Sequence, residues 1–233
     1  MAIERLDIEN CTDRLQNFLH RERYDFVLSQ LGKREHVLEI GTGVGVFARE
    51  LAPRCESYVG IEFDSAACAE ARRRTQGKAR ILEADARSLP FADKQFSFIV
   101  CLEVLEHLGD WQAGVQQIHR CLKNDGAVII SVPYRQHGGR SKINKYHLYE
   151  PGETELTTLL NQLFVRLEIR YQFFEESLVM SVARKLHIRR LVGLAQLYGD
   201  LANGESSALN RLGFNRRPRG MKIGLVILAR GKK

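Results

Sequence analysis

The heptapeptide Glu39-Ile40-Gly41-Thr42-Gly43-Val44-Gly45 decides the fold of this chain. It ends a short apolar run, His36–Ile40, that predicts a buried strand, and it leads into a helical pattern over Val44–Leu51. Glycines at such a turn let the backbone bend sharply and let a ligand lie against main-chain N–H groups at the helix start. Val46 stands where a dinucleotide-binding turn has its third glycine, which argues against that class. No Gly-Lys-Ser/Thr follows, which excludes a P-loop.

Around this turn, apolar runs alternate with helical patterns. The predicted strands are His36–Ile40, Ser57–Glu62, Ala79–Glu83, Phe96–Leu102, Ala127–Val132, Phe164–Phe174 and Met221–Ala229. The predicted helices are 12–31, Val44–Leu51, Ser65–Gln76, Trp111–Leu122 and Glu153–Leu163, with a helical insertion over 177–219. The first five strands are continuous apolar runs, which are typical of a parallel sheet covered by helices on both faces. The pattern predicts one doubly wound α/β domain over 1–233.

The overall composition is that of a globular chain. Hydrophobic residues are 44% and charged residues 27% of the 233, which excludes wholesale disorder, collagen-like and coiled-coil classes. No apolar stretch approaches the roughly 20 residues of a membrane span, and the first ten residues lack the apolar core of a secretory signal. The five cysteines form no C-x-x-C pair and predict free thiols. These features lead us to expect a cytoplasmic protein without a transmembrane segment.

Charge is unevenly distributed along the chain. Residues 1–176 hold 23 Lys and Arg against 26 Asp and Glu, whereas residues 177–233 hold 12 against 2. A basic C-terminal quarter indicates either a solvated basic face or an anionic partner, such as a nucleic acid, a phosphorylated small molecule or a membrane surface.

Acidic side chains follow three of the predicted strands. Glu62 ends the second strand, Asp85 follows the third, and Glu103 and Glu106 follow the fourth. Because the carboxyl ends of parallel strands meet at one edge of a sheet, these carboxylates converge on one crevice. Converging like charges are unfavourable unless a polar ligand requires them. Glu62 is placed to accept the hydroxyls of a ribose, and Asp85 to accept from the exocyclic amine of a base.

Together these motifs resemble the class I S-adenosylmethionine-dependent methyltransferases, of the group that acts mostly on small molecules. The resemblance covers Val37 to Pro133 and implies a cofactor-binding core over 36–133. It implies a seven-stranded mixed sheet whose last strand, Met221–Ala229, runs antiparallel beside Phe164–Phe174. It implies S-adenosyl-L-methionine as the cofactor, with Phe63 and Ala86 beside the adenine. The cofactor-binding residues that it implies are Glu39, Gly41, Gly43, Gly45, Glu62, Phe63, Asp85, Ala86 and Glu103.

His107 is the candidate catalytic residue because it is the one base expected near the transferred methyl group. It is equally a candidate for a structural role at a helix start. Glu103, Glu106, His107 and His147 also resemble the magnesium-binding set of small-RNA ribose methyltransferases and the E-M-x-E-H segment of quinone-biosynthesis O-methyltransferases. The fuller RNA-enzyme signature is missing, and we assign no metal ligand from sequence.

Arg23, in the first helix, is a candidate to reach the methionine carboxylate of the cofactor, although a solvated helix face is the preferred interpretation. Two interpretations of the basic insertion stay open: a surface element that only stabilises the sheet edge or touches membrane lipids, and a lid that selects an anionic acceptor. In a lid, the arginines expected to do so are Arg189, Arg190, Arg216 and Arg217.

The leading prediction is methyl transfer to an oxygen or nitrogen, or less readily a carbon, of a small metabolite, and an anionic acceptor is a further hypothesis. Three alternatives stay open: an RNA ribose methyltransferase, a non-catalytic S-adenosylmethionine-binding regulator and an NAD-dependent oxidoreductase. RNA is disfavoured as a partner because no RNA-binding module is recognisable. The sequence indicates no oligomeric state.

Overall fold

The computed structural model describes residues 14–33, 35–141, 144–174, 213–215 and 221–231. The helices are α1 Arg14–Gln30, α2 Val46–Leu51, α3 Ser65–Thr75, α4 Trp111–Cys121 and α5 Glu153–Leu163. The strands are β1 His36–Ile40, β2 Ser57–Glu62, β3 Arg80–Glu83, β4 Phe96–Leu102, β5 Leu122–Pro133, β6 Arg166–Phe174, β7 Gly213–Asn215 and β8 Met221–Arg230. Short 3₁₀ helices span Ala52–Arg54 and Leu105–His107.

The described strands form one mixed sheet in the order β3-β2-β1-β4-β5-β8-β6-β7. Strands β1 to β5 pair in parallel, whereas β8 lies antiparallel between β5 and β6. This confirms the doubly wound α/β fold and the antiparallel last strand. The order reverses direction between β1 and β4, and ligands of such sheets bind outside the carboxyl ends of the strands at that place.

One strand was not predicted. Gly213–Asn215 pairs antiparallel with β6 through Tyr171 and Gln172, so the prediction that 177–219 is a helical insertion is wrong at these three residues. The outer edge of β6 offers main-chain groups that a strand can satisfy and a helix cannot. Residues 177–212 and 216–219 lie outside the described residues, and the predicted arginine lid among them stays a prediction.

The boundary between α4 and β5 also differs from the prediction. The sequence Asn124-Asp125-Gly126 is typical of a turn between the predicted helix and strand, but β5 extends from Leu122 and its register against β4 shifts between Phe96 and Phe98. A Cβ on Gly126 would lie 2.8 Å from the carbonyl oxygen of Ser97, so only glycine lets the irregular segment lie so close to β4. The other predicted bounds agree within three residues.

Both faces of the sheet are covered. Along β8, Leu225 and Ile227 pack in the cluster under α4 and α5, while Val226 and Leu228 pack in the cluster under α1 and α2. Burial on both faces explains why the strands are continuous apolar runs. Among the described helices, none combines the length and the apolar character needed to cross a membrane.

Candidate active site

A cleft opens at the carboxyl ends of β1, β2, β3 and β4. Its volume is about 1920 Å³, and its walls include the glycine turn, the ends of β2 and β3, the 3₁₀ helix after β4 and the loop after β5. Small-molecule pockets usually measure about 300–1,000 Å³. The cleft therefore has room for two small ligands side by side.

The glycine turn is held against β2. The main-chain N–H groups of Gly41 and Thr42 both donate to the carbonyl oxygen of Ile61, each at 2.9 Å. Gly41, Gly43 and Gly45 have φ values of 77°, 57° and 82°, in the left-handed region that favours glycine. Gly41 and Gly43 line the cleft, whereas Gly45 caps α2 and packs against α3.

Glu62 is fixed by three main-chain donors. The N–H of Gly43 donates to Oε2 at 3.0 Å, and the N–H groups of Phe63 and Asp64 donate to Oε1 at 2.9 and 3.0 Å. These bonds join the end of β2 to the glycine turn. The carboxylate is therefore presented to the cleft in one orientation, with acceptor capacity left for a ligand hydroxyl.

Next to Glu62, two apolar side chains and one acidic side chain line the cleft. Phe63 is 61% exposed and, like Ala86, lines the cleft, so both side chains are available to an aromatic ligand. Asp85 accepts from Arg87, whose Nη2 lies 2.6 Å from Oδ2, and this hydrogen bond lowers the pKa of Asp85. Sequence reasoning missed this partner, although a cation two residues after an acid is a visible signal.

Glu39 lies beneath the glycine turn and is almost fully buried. Burial raises its pKa to about 7, although a hydrogen bond from the Tyr58 hydroxyl opposes the rise, and the charge of Glu62 adds to it. Glu39 still forms part of the cleft wall. The acid that begins the heptapeptide is thus a buried group at the base of the glycine turn.

Glu103 and Arg23 form a half-buried ion pair. Glu103 has a φ of 54°, and its Oε1 accepts from the Ser131 hydroxyl at 2.7 Å. Its Oε2 lies 3.3 Å from Nη2 of Arg23, and Nε of Arg23 donates to Oε1 of Gln172 at 2.8 Å. Arg23 is only 3% exposed, so the preferred interpretation of a solvated helix face is wrong. The reason is that α1 packs against β6, which encloses the guanidinium.

Nη1 of Arg23 is buried and has no hydrogen-bond partner among the described residues. The side chain also lines the cleft. An unpaired guanidinium N–H beside a cleft is suited to an anionic ligand group.

The 3₁₀ helix Leu105–His107 carries a second group of side chains. Glu106 is 1% exposed, and neither carboxyl oxygen has a hydrogen-bond partner among the residues the structure describes. Burial, and then the charge of Glu103, raise the pKa of Glu106 well above its ordinary value. His107 donates from Nδ1 to the carbonyl oxygen of Tyr146 at 3.1 Å.

The loop after β5 brings His147 to the same place. The N–H groups of Leu148 and Tyr149 donate to the carbonyl oxygen of Glu106 at 2.9 and 3.2 Å, which docks the loop. The rings of His107 and His147 lie edge to face with centroids 4.9 Å apart. Glu106, His107 and His147 each offer a ligand atom within 4.8 Å of the others. Glu103 does not belong to this group, because Ser131 and Arg23 hold its carboxylate.

The structure therefore gathers most of the predicted residues in one cleft. The predicted residues that line it are Glu39, Gly41, Gly43, Glu62, Phe63, Asp85, Ala86, Glu103, Glu106, His107 and His147. Gly45 stands behind the turn and is absent from the wall. The contributions of Ser131, Gln172 and Arg87 were missed, because each depends on a side-chain contact that no short motif encodes.

Known proteins resemble this chain in sequence. Residues 38–130 match the family model described as a methyltransferase domain. A probable S-adenosylmethionine-dependent methyltransferase of Mycobacterium tuberculosis is 31% identical over 165 residues, which cover 68% of this chain and 57% of that protein. The match thus spans little more than half of that relative's length.

Solved structures share this fold. YcgJ of Bacillus subtilis has a TM-score of 0.62 at 17% identity, covering 92% of this chain and 99% of that one. The N-methyltransferase NodS of Bradyrhizobium japonicum, solved with S-adenosylhomocysteine, has a TM-score of 0.58 at 19% identity, covering 91% and 87%. At such identities the likeness shows the fold alone.

Proposed function

Because the chain carries a methyltransferase domain of the class I, S-adenosylmethionine-dependent family, we propose that it transfers the methyl group of S-adenosylmethionine to an oxygen or nitrogen of a small acceptor. The observation that carries this proposal is the Glu62 carboxylate, which three main-chain N–H groups orient beside the glycine turn. That arrangement suits the two hydroxyls of a ribose.

The remaining wall fits the rest of the cofactor. Phe63 and Ala86 would contact the adenine. Asp85 would accept from the adenine amine once its hydrogen bond from Arg87 is broken. The buried N–H of Arg23 is suited to the methionine carboxylate. Gly41 would let the cofactor lie against the main chain, and Glu103 would hold Arg23 in place.

The acceptor would occupy the part of the cleft beside His107, because the cleft exceeds the volume of one ligand. A sulfonium methyl is already electrophilic, so the site mainly has to align the acceptor with the carbon–sulfur bond and exclude water. An anionic acceptor remains our proposal, supported by the excess of 12 Lys and Arg over 2 Asp and Glu in residues 177–233.

The first experiment is calorimetric titration with S-adenosylhomocysteine and, separately, with NAD. We expect micromolar binding of the first and none of the second. NAD binding alone would overturn the proposal in favour of an oxidoreductase. Methyl transfer from labelled S-adenosylmethionine to a metabolite mixture would exclude the non-catalytic regulator, and salt-dependent retardation of RNA would favour the RNA enzyme instead.

Replacing Glu62 by alanine is expected to weaken S-adenosylhomocysteine binding by about 1–3 kcal/mol, because the ribose loses its acceptor and the three N–H groups lose theirs. Calorimetry measures the change. Glu56→Ala is the matched control, since Glu56 is an exposed acid just before the other end of β2. Equal affinities for the two variants would show that Glu62 does not contact the cofactor.

Replacing His107 by alanine is expected to lower turnover at least about tenfold while leaving S-adenosylhomocysteine affinity near wild type, because His107 lines the part of the cleft that we assign to the acceptor. Steady-state kinetics and calorimetry together measure this. His119→Ala is the control, since His119 is exposed on α4. Unchanged turnover would remove His107 from the mechanism.

A further inference from the structure

Glu106 is the one carboxylate of the described residues whose two oxygens are both buried and without a hydrogen-bond partner. Burying such a group unsatisfied is unfavourable by several kcal/mol, and buried carboxylates are otherwise paired, hydrogen-bonded or bound to metal. Its main chain is firmly anchored, because its carbonyl oxygen accepts from Leu148 and Tyr149. Glu106 is therefore held at a fixed position, and a ligand that binds carboxylate oxygen would supply the partner that its two oxygens lack.

The two histidines beside Glu106 are oriented as metal ligands are. A carbonyl oxygen and an ionised carboxylate only accept, so Nδ1 of His107 carries a proton toward Tyr146 and Nδ1 of His147 carries one toward Glu150, at 3.1 and 2.7 Å. In this tautomer the lone pair of each ring is on Nε2. A histidine ligand of a metal ordinarily donates its other nitrogen to a carbonyl or carboxylate in this way.

Glu150 is fixed as the outer partner of His147. It forms an ion pair with Arg135 at 2.8 Å and a bridge with Gly139 through the main chain. A carboxylate that accepts from the outer nitrogen fixes the orientation of the imidazole and makes it a stronger ligand.

We propose that Glu106, His107 and His147 bind a divalent transition-metal ion, of the Zn²⁺, Co²⁺ or Mn²⁺ type, in the wall of the cleft. One potential ligand atom of each residue lies within 4.8 Å of those of the other two, so small side-chain adjustments would bring all three onto a single ion. Two imidazoles and one carboxylate suit these ions better than Mg²⁺, which prefers oxygen throughout. Three protein ligands leave coordination positions open, as in catalytic sites.

The open positions give the ion a role in catalysis, and this step rests on the proposed function. An acceptor hydroxyl that ligates the ion loses its proton more readily, and the proton leaves to the bulk solvent before the transfer. The oxygen lone pair then forms the bond to the methyl carbon as the carbon–sulfur electron pair returns to sulfur. The ion would thereby favour an oxygen acceptor over a nitrogen acceptor.

The test titrates the full-length, chelator-treated protein with Co²⁺ alone and records the ligand-field absorption, with Mn²⁺ followed by electron paramagnetic resonance. We expect one ion per chain. Glu106→Gln, His107→Ala and His147→Gln should each lower Co²⁺ affinity at least about 100-fold. Glu150→Gln should lower it about 10- to 100-fold through His147. His119→Ala, on the exposed face of α4, is the control and should bind as wild type.

Each outcome decides the proposal. Absence of a Co²⁺ spectrum, or wild-type affinity in Glu106→Gln and His147→Gln, would overturn the metal site. If those variants bind S-adenosylhomocysteine as wild type does, the failure is confined to the metal site and the proposed function stands. Full turnover in chelator, with His107→Ala still impaired, would also overturn the metal role and identify His107 as a base. Glu106→Gln preserves side-chain shape, and circular dichroism checks that each variant is folded.

Discussion

Replacing Gly45 by alanine is expected to lower the free energy of unfolding by about 3 kcal/mol or more. The residue has a φ of 82°, and a non-glycine residue in this region costs about 1–2 kcal/mol. The new Cβ would also lie 2.8 Å from Cα and 3.2 Å from the carbonyl oxygen of Ala71. Those are main-chain atoms of α3, so the helix itself would have to move, at a further cost of about 1–3 kcal/mol.

Gly43→Ala is the matched control for this prediction. Gly43 has a φ of 57°, but an added Cβ meets no atom within 4 Å. Its stability should fall by only about 1–2 kcal/mol. Because Gly43 lines the cleft, this variant should instead lose affinity for S-adenosylhomocysteine.

Urea unfolding and calorimetry on both variants separate the two roles. We expect Gly45→Ala to lose mainly stability and Gly43→Ala mainly ligand affinity. Equal losses of stability in the two variants would show that the close approach of the new Cβ to Ala71 does not destabilise the fold.

The sheet could be predicted from sequence because its strands are buried on both faces and bounded by glycine or proline. The alternation of these runs with helical patterns is a local signal, and it identified all strands except Gly213–Asn215. Three residues carry too little periodicity to be recognised. Likewise, Asn124–Gly126 looks like a turn, and the missing side chain of Gly126 is what permits this segment to approach Ser97 on β4 so closely.

The site was predictable where a motif is local and unpredictable where the contacts are distant. Glu62 and Asp85 follow strands directly, so sheet geometry places them at the cleft. Arg23, by contrast, is buried through Gln172, 149 residues away, and helix periodicity alone could not show this. His147 reaches His107 only because a loop docks on Glu106, which depends on main-chain hydrogen bonds that have no sequence signature.

Glu39 is expected to make the free energy of unfolding depend strongly on pH. Burial raises the pKa of this carboxyl from an ordinary value of 4.5 to about 7 in the folded protein. Between these two values the folded state keeps a proton that the unfolded state has released, so the free energy of unfolding falls as pH rises. The contribution of Glu39 is fully present below about pH 4.5 and is lost as pH passes through about 7. The size of the loss is about 3 kcal/mol, at about 1.4 kcal/mol for each pKa unit.

Urea unfolding of the wild type and of Glu39→Gln at pH 5 and pH 8 measures this contribution. Glutamine still accepts from the Tyr58 hydroxyl but does not titrate, so the variant should lose about 3 kcal/mol less than the wild type between the two pH values. Other titrating groups change both proteins alike and cancel in the difference. An identical pH dependence would mean that Glu39 keeps its ordinary pKa in the folded protein. A carboxylate stabilised by a cation would instead have a pKa below 4.5 in the folded protein, and it would leave the free energy of unfolding almost unchanged between pH 5 and pH 8.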